Sequence, residues 1–305
     1  MLNLRTYQNQ TKKRIMEHAE KFGVYSLLAK PDANPKVAKN AKDNALTAPL
    51  HLAPHKLSGF NVCASATAGC AAACLHSAGN PAYMAQKEKS RIARTQLYFG
   101  NRALFIEILR REIKLHIKRA GKLGMQAAIR LNATSDIRWE NVLYHLGDRQ
   151  GLTLFHEFPN VQFYDYTKHA NRRKIPANYH LTFSLAEDNH AQALEAIERG
   201  LNVAVVFDTA RGRDLPESLT IDVRGKGKVT LPVFDGDVSD YRPADQSGFI
   251  GLRAKGEARK DKSGFVNSGF GKHATINVLN MTPFEFVGGH WPSNQKGIDS
   301  RAEIN

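Results

Sequence analysis

Residues 180–209 read HLTFSLAEDNHAQALEAIERGLNVAVVFDT, and this stretch decides the fold class. Its two ends, HLTFSL (180–185) and NVAVVFDT (202–209), are short continuous apolar runs. Between them NHAQALEAIERG (189–200) has helical periodicity, with Asn189 placed as an N-cap and Gly200 as the residue just past the helix end. Strand, helix and strand in that order form a βαβ unit. Strands that are apolar along their whole length belong to a parallel sheet covered on both faces. Four further runs have the same character: AAIRLN (127–132), VQFYDYT (161–167), VTLPVFDGD (229–237) and GFIGLRAKG (248–256). The expected architecture is α/β, with an open or partial barrel of mostly parallel strands, six to eight in number, and helices outside.

Outward from this centre the chain divides into three. Residues 1–50 are polar and basic, and KPDANPKVAKNAKDNALTAP (30–49) carries turn signals with little apolar periodicity. They are expected to form an irregular arm, with a short strand near Tyr25–Ala29. Residues 51–270 are expected to hold the barrel-like domain. Residues 271–305, which include GGHWPSNQKG (288–297), read as a C-terminal extension. From about Met84 to Leu123, Leu97, Phe99, Leu104, Phe105, Ile108, Leu109, Ile113 and Ile117 recur at three- and four-residue steps, broken near Gly100. This predicts two helices sharing one apolar stripe.

Charge narrows the partners. The 305 residues carry 43 Lys and Arg against 29 Asp and Glu, a net of +14. An acidic solvating protein is excluded, and a polyanion is a natural partner. Residues 87–122 concentrate the excess, with eleven Lys or Arg against three Asp or Glu. Such a face predicts weak, salt-sensitive nucleic-acid binding, or simply a solvated helix surface. No run of 18 apolar residues occurs, so no membrane association is expected. The opening MLNLRTYQNQTKKR (1–14) lacks the apolar segment of a secretory signal, and a cytoplasmic location is expected.

The three cysteines of the chain fall within twelve residues, in NVCASATAGCAAACLHSAG (61–79). The spacing C-x6-C-x3-C, set among Ala, Gly and Ser, lets one short loop present three thiolates to one centre. Cys63, Cys70 and Cys74 suit a 4Fe–4S cluster, in which three cysteines leave one iron open. A structural zinc would need a fourth ligand, His76 or a distant residue. The bland alternative is three buried free thiols.

In parallel α/β folds ligands sit at the carboxyl ends of the strands. Polar residues gather at the ends of the predicted strands: Arg130, Asn132 and Asp136; Tyr164, Asp165 and Lys168; Ser184 and Glu187; Asp208. These are the expected cofactor-binding residues. Arg130 and Lys168 suit a carboxylate or phosphate. Asp136 or Glu187 suits an amino group or ribose hydroxyls. Tyr164 and Tyr166 share one strand face and Asp165 the other.

Several long segments carry a resemblance. NVCASATAGCAAACLHSAG (61–79), IRLNATSDIRWE (129–140), FPNVQFYDYTK (158–168), YHLTFSLAE (179–187), NVAVVF (202–207), DGDVSDYR (235–242) and IGLRAKGEARKDKSGFV (250–266) resemble the uncharacterised phage and plasmid gene product eighty-eight family, over roughly residues 25–267. The resemblance implies a phage protein, acting in the host cytoplasm. It also implies an outline similar to iron–sulfur proteins built on a partial or open TIM-barrel-like sheet. A looser likeness is to radical S-adenosylmethionine enzymes, which carry three cysteines on a loop after the first barrel strand. Here the spacing differs from their C-x3-C-x2-C. LNATSDI (131–137) stands where they have Gly-Gly-Glu, with Asn132, Ser135 and Asp136 as substitutes.

Two functions follow as expectations. One is a cluster-dependent redox or radical enzyme, whose open iron faces a polar pocket and a small-molecule ligand, with S-adenosylmethionine the suggested second cofactor. The other is a zinc- or cluster-stapled nucleic-acid-binding or regulatory protein without catalysis.

Overall fold

The structure, a computed structural model, describes residues 20–31, 38–75, 83–146, 149–268 and 271–279, together with Lys13 and Glu17. In chain order its regular elements begin with β1 (Ala45–Pro49), α1 (Ala68–Ala72), α2 (Met84–Gly100), α3 (Arg102–Lys122) and β2 (Gln126–Arg130). A small hairpin of β3 (Tyr144–Leu146) and β4 (Arg149–Leu152) precedes α4 (Leu154–Glu157) and β5 (Gln162–Thr167). The chain continues through β6 (Tyr179–Ser184), α5 (His190–Glu198), β7 (Val203–Phe207), β8 (Ser218–Val223), β9 (Gly227–Asp235), β10 (Phe249–Arg253) and β11 (His273–Val278).

Nine of these strands form one sheet, in the order β1-β2-β5-β6-β7-β10-β9-β8-β11. Neighbours are parallel throughout except at β8 and β9, which pair antiparallel with Thr220 opposite Thr230. The expected mostly parallel sheet with helices is therefore present, and it has one strand more than the upper bound expected. All six apolar runs became strands. The three strands not anticipated have other patterns. β8 alternates buried and half-buried residues along SLTIDV, as a one-sided strand does. β11 is half-exposed and lies in the segment read as an extension. β1, in the segment read as an irregular arm, is ALTAP, whose proline and alanines have little strand propensity. It is a strand because it pairs with β2 along its whole length, and all five residues are buried. Near the predicted Tyr25–Ala29 strand, one isolated bridge joins Leu28 to Leu50.

The two helices form as the periodicity predicts, but Phe99 and Ile117 of the expected apolar stripe are exposed. Asn101 interrupts the long tract and caps α3, its side-chain oxygen accepting the Leu104 N–H at 3.0 Å. From α3, Phe105, Ile106, Ile108, Leu109, Ile113 and Ala120 bury against β1, β2 and β5. Each of the larger of these side chains contributes about 1.5–3 kcal/mol. Tyr98 meets Phe105 and Trp139 edge to face within this core, while Phe105 and Trp139 stack on one another. On the far half of the sheet, α5 and β6 to β8 enclose a second core around Phe183, Phe207 and Phe249. Gly200 ends α5 with φ of +78°, the left-handed conformation expected there. Asn189 precedes α5, but its amide reaches backward instead of capping. It accepts from the Ala186 N–H at 2.7 Å and donates to the Ser184 carbonyl at 3.1 Å. Among the described residues no helix is long and apolar enough to cross a membrane.

The basic face of residues 87–122 is less solvated than its composition implies. Arg91 and Arg110 are buried, and Arg94 donates to the Ser26 carbonyl at 2.7 Å. Arg110 holds Glu157 of α4 and Glu107, and Lys114 reaches Glu157 at 3.1 Å. The Tyr144 hydroxyl also donates to Glu157, at 2.5 Å. Burial works against the Glu157 carboxylate, but its hydrogen bonds to Arg110, Tyr144 and Lys114 outweigh burial and hold its pKa at about 2, below the ordinary 4.5. A depressed folded pKa stabilises the protein above the unfolded value and ceases to do so as pH falls through the folded one. Glu157→Gln is therefore expected to cost about 2 kcal/mol at neutral pH. In urea titrations the gap from the wild type should narrow below pH 4.5 and close near pH 2. A gap independent of pH would mean that packing, not charge, ties α4 to α3.

Candidate functional site

The cysteine loop leaves the carboxyl end of β1 and is fixed at several points. The Cys63 N–H donates to Asn61 Oδ1 at 2.9 Å, and its sulfur accepts from the His55 N–H at 3.4 Å. The thiol lies 3.9 Å from the Thr134 carbonyl, in the loop after β2. Thr67 caps α1, accepting the Cys70 N–H at 3.0 Å. The Thr67 hydroxyl donates to Glu187 Oε2 at 2.7 Å, and the Gly69 N–H donates to Oε1 at 2.6 Å. A Cβ on Gly69 would stand 2.8 Å from that carboxylate and 2.1 Å from Ser263 Oγ, so only glycine fits. Glu187, expected to bind a cofactor, instead pins the cysteine loop to the end of β6.

Cys63, Cys70 and Cys74 line one cavity of about 200 Å³, at the carboxyl edge of the sheet. Five of the expected residues line the same cavity: Arg130, Asn132, Asp136, Lys168 and Ser184. Their freedom differs. Asn132 is committed to its own loop, its Oδ1 accepting from Ser135 Oγ, the Ile137 N–H and the Trp139 indole within 3.1 Å. Asp136 Oδ2 accepts the Lys168 N–H at 2.8 Å, while Oδ1 is buried without a hydrogen bond, 3.9 Å from Arg172. Lys168 Nζ donates to Ser184 Oγ at 2.9 Å. Arg130 donates to Asp240 at 2.8 Å and lies 4.8 Å over the Tyr166 ring, and its Nε has no hydrogen bond.

Three expected residues lie elsewhere. Tyr164 is wholly buried, its hydroxyl receiving the Asn40 amide at 2.9 Å and its ring edge-on to Tyr241. Asp165, on the other strand face, is also wholly buried. It accepts from the Asn132 N–H at 2.7 Å and the Tyr179 hydroxyl at 2.8 Å. Burial pushes its pKa up to about 7, against the pull of the Asn132 N–H and Arg130. It supports the loop beneath the cavity. Asp208 lines a neighbouring cleft. His76 lies outside the described residues.

The sequence reading also missed parts of the site. Tyr166 lines the cavity, and its buried hydroxyl has no hydrogen bond. It stands among the polar residues at the end of its strand, beside Asp165 and Lys168, and that position was its signal. Arg253 and Phe265 reach the cavity from the chain's last third. Arg91, in the middle of α2, interacts electrostatically with Cys74. Nothing in the local sequence marks these three.

Burial, helped by negative charge on Cys74, Asp136 and Cys70 and opposed by the His55 N–H, raises the Cys63 pKa to about 11. A protonated, half-buried thiol such as Cys63 is a poor nucleophile, and a cation beside it favours the thiolate. Among the described residues no three His, Cys, Asp or Glu side chains are grouped to hold a metal ion. A mononuclear zinc requires such convergence, with every donor about 2.0–2.3 Å from one point. A cluster asks for less, since each cysteine takes a different iron. Cys63, Cys70 and Cys74 border one cavity, and the chain has no fourth cysteine.

No curated protein and no solved structure matches this chain. The family model described as Gene product 88 matches residues 26–269, a span that holds the cysteine loop, the cavity and eight of the nine strands of the sheet. The chain therefore belongs to the Gene product 88 family.

Proposed function

We propose that this phage-type protein binds a 4Fe–4S cluster through Cys63, Cys70 and Cys74, with one iron open toward the polar wall of the cavity, and that it is a cluster-dependent enzyme. The observation that carries this reading is the single cavity shared by the three thiols and the strand-end side chains Arg130, Asp136, Lys168 and Ser184. A merely structural staple has no need of a cavity bordered by charged side chains beside it. The order β1-β2-β5-β6-β7 follows the chain, as in a partial TIM barrel, and supports that finer reading of the fold. A cluster with an open iron supplies an electron and a coordination site.

The chain's own residues would orient what binds there. Lys168 presents a charge held by Ser184, and Arg130 is anchored on Asp240, so each can face a carboxylate without moving. Asp136 also borders the cavity, with one carboxylate oxygen that lacks a hydrogen bond and lies 3.9 Å from Arg172, and its carboxylate would be the group to meet an ammonium. S-adenosylmethionine carries both groups. Anaerobic purification followed by iron and sulfide analysis tests the cluster, with four of each per chain and broad absorption around 400 nm expected. Calorimetry with S-adenosylmethionine on that sample should show binding that perturbs the cluster's electron paramagnetic resonance signal. Stoichiometric zinc, or a colourless protein without iron, overturns the reading.

A further inference from the structure

Beside the cysteine cavity the carboxyl edge opens into a larger cleft, of about 890 Å³. It is bounded by the loop after β7 (Asp208 to Gly212), the ends of β9 and β10, and Lys39 and Arg259. Asp237, Arg253 and Lys255 line both spaces, so the two compartments share a wall. That wall is internally neutralised. Arg253 donates to Asp235 at 2.9 Å, and Lys255 Nζ donates to Asp237 at 2.6 Å.

The remaining cations of the cleft are not neutralised. Among the described residues Lys39, Arg211 and Arg259 have no carboxylate partner. Lys39 donates only to the Asp237 carbonyl, at 2.5 Å, and Arg259 only to the Ala254 carbonyl, at 3.4 Å. Arg211 is exposed and makes no hydrogen bond or ion pair to a described residue. Three cations around one space favour an anion, and a guanidinium matches phosphate with two parallel donors. Asp208, at the carboxyl end of β7, is likewise exposed, with no side-chain partner among the described residues. A carboxylate beside a phosphate site repels a second phosphate but accepts from sugar hydroxyls, the role of the acidic residue in nucleotide sites. Size points the same way. Small-molecule sites occupy about 300–1,000 Å³, enough for one nucleotide and too little for a polymer.

We infer that this cleft binds a sugar phosphate of nucleotide size, with its phosphate on Lys39, Arg211 and Arg259 and its sugar hydroxyls on Asp208. The shared wall directs the other end of the ligand toward the cysteine cavity. Binding in the cleft follows from the cleft alone, and only the statement that the ligand is the substrate of the cluster rests on the function proposed above.

Calorimetry on the full chain tests this with ribose 5-phosphate, adenosine 5′-monophosphate, adenosine and a ten-nucleotide oligothymidylate. Both phosphates should bind, with adenosine much weaker. Arg211→Glu with Arg259→Glu should weaken both phosphates at least tenfold while leaving the thermal unfolding midpoint unchanged. Asp208→Ala should weaken them several-fold. Lys118→Glu, on the exposed face of α3, should change nothing. Failure of both phosphates to bind, equal affinity in the double variant, or oligothymidylate binding lost in Lys118→Glu while the cleft variants are silent would each overturn the inference. Iron analysis on the same samples keeps the two readings apart: binding without iron removes the cluster and leaves the cleft, and iron without binding does the reverse.

Discussion

Replacing any one of Cys63, Cys70 and Cys74 with alanine should remove most of the bound iron from anaerobically prepared protein. The three thiols line one cavity, and the chain has no fourth cysteine to substitute for a lost one. A cluster left with two cysteines has two irons without protein ligands, and it falls apart in oxygen or chelator. The wild type should retain about four irons per chain and each variant fewer than about one. Serine at the same positions should recover only part, since a hydroxyl is a weaker ligand for iron than a thiolate. Glu187→Gln is the control that separates ligation from support. It keeps one acceptor for the Gly69 N–H, and its amide N–H can donate to the Thr67 hydroxyl instead of accepting from it, so it should lower iron occupancy far less than loss of a thiol. If one of the three alanine variants holds iron at the wild-type level, that cysteine is not a ligand.

Asp240→Ala should be among the most destabilising single changes in the molecule, costing about 3–5 kcal/mol. Asp240 is wholly buried and Arg130 is 9% exposed, and they bond at 2.8 Å beneath the cavity. Burial opposes the charge on Arg130, but the Asp240 carboxylate more than offsets it and holds the guanidinium firmly protonated. Without that carboxylate an arginine that does not deprotonate is left buried, with Nε already lacking a hydrogen bond. The urea midpoint should fall accordingly. Arg130→Met combined with Asp240→Leu should be milder than Asp240→Ala, because removing both charges avoids the unpaired one. A double variant as unstable as the single one would mean that shape, not charge, sets the cost.

The legible part of the fold was the part built from continuous apolar runs. AAIRLN, VQFYDYT, HLTFSL, NVAVVFDT, VTLPVFDGD and GFIGLRAKG each became a strand, because burial on both faces leaves little room for polar residues. β1, β8 and β11 escaped because their residues are ordinary for loops or half-exposed edges. ALTAP is a strand only because β2 supplies its hydrogen bonds. The site divided the same way. Position at a strand end predicted Arg130, Asp136, Lys168 and Ser184 at the cavity. It failed for Asp165, which is buried in the strand beneath the cavity, and for Glu187, whose carboxylate is spent on the cysteine loop. It also overstated the basic helix face, because Arg91 and Arg110 are buried and Arg110 is paired with glutamates of α3 and α4.

By itself the sequence determined the class of fold, the three-cysteine loop and the strand ends at which polar residues gather, because hydrophobic periodicity and residue spacing are local properties of the chain. Only the tertiary structure decided which strand-end residues face the cysteines, which are consumed as supports, and that a second cationic cleft adjoins the first. Those outcomes depend on strand order and register. The interposition of β10 between β7 and β9 brings Arg253 and Lys255 to a wall shared with residues of β9's end, and no local pattern encodes that neighbour.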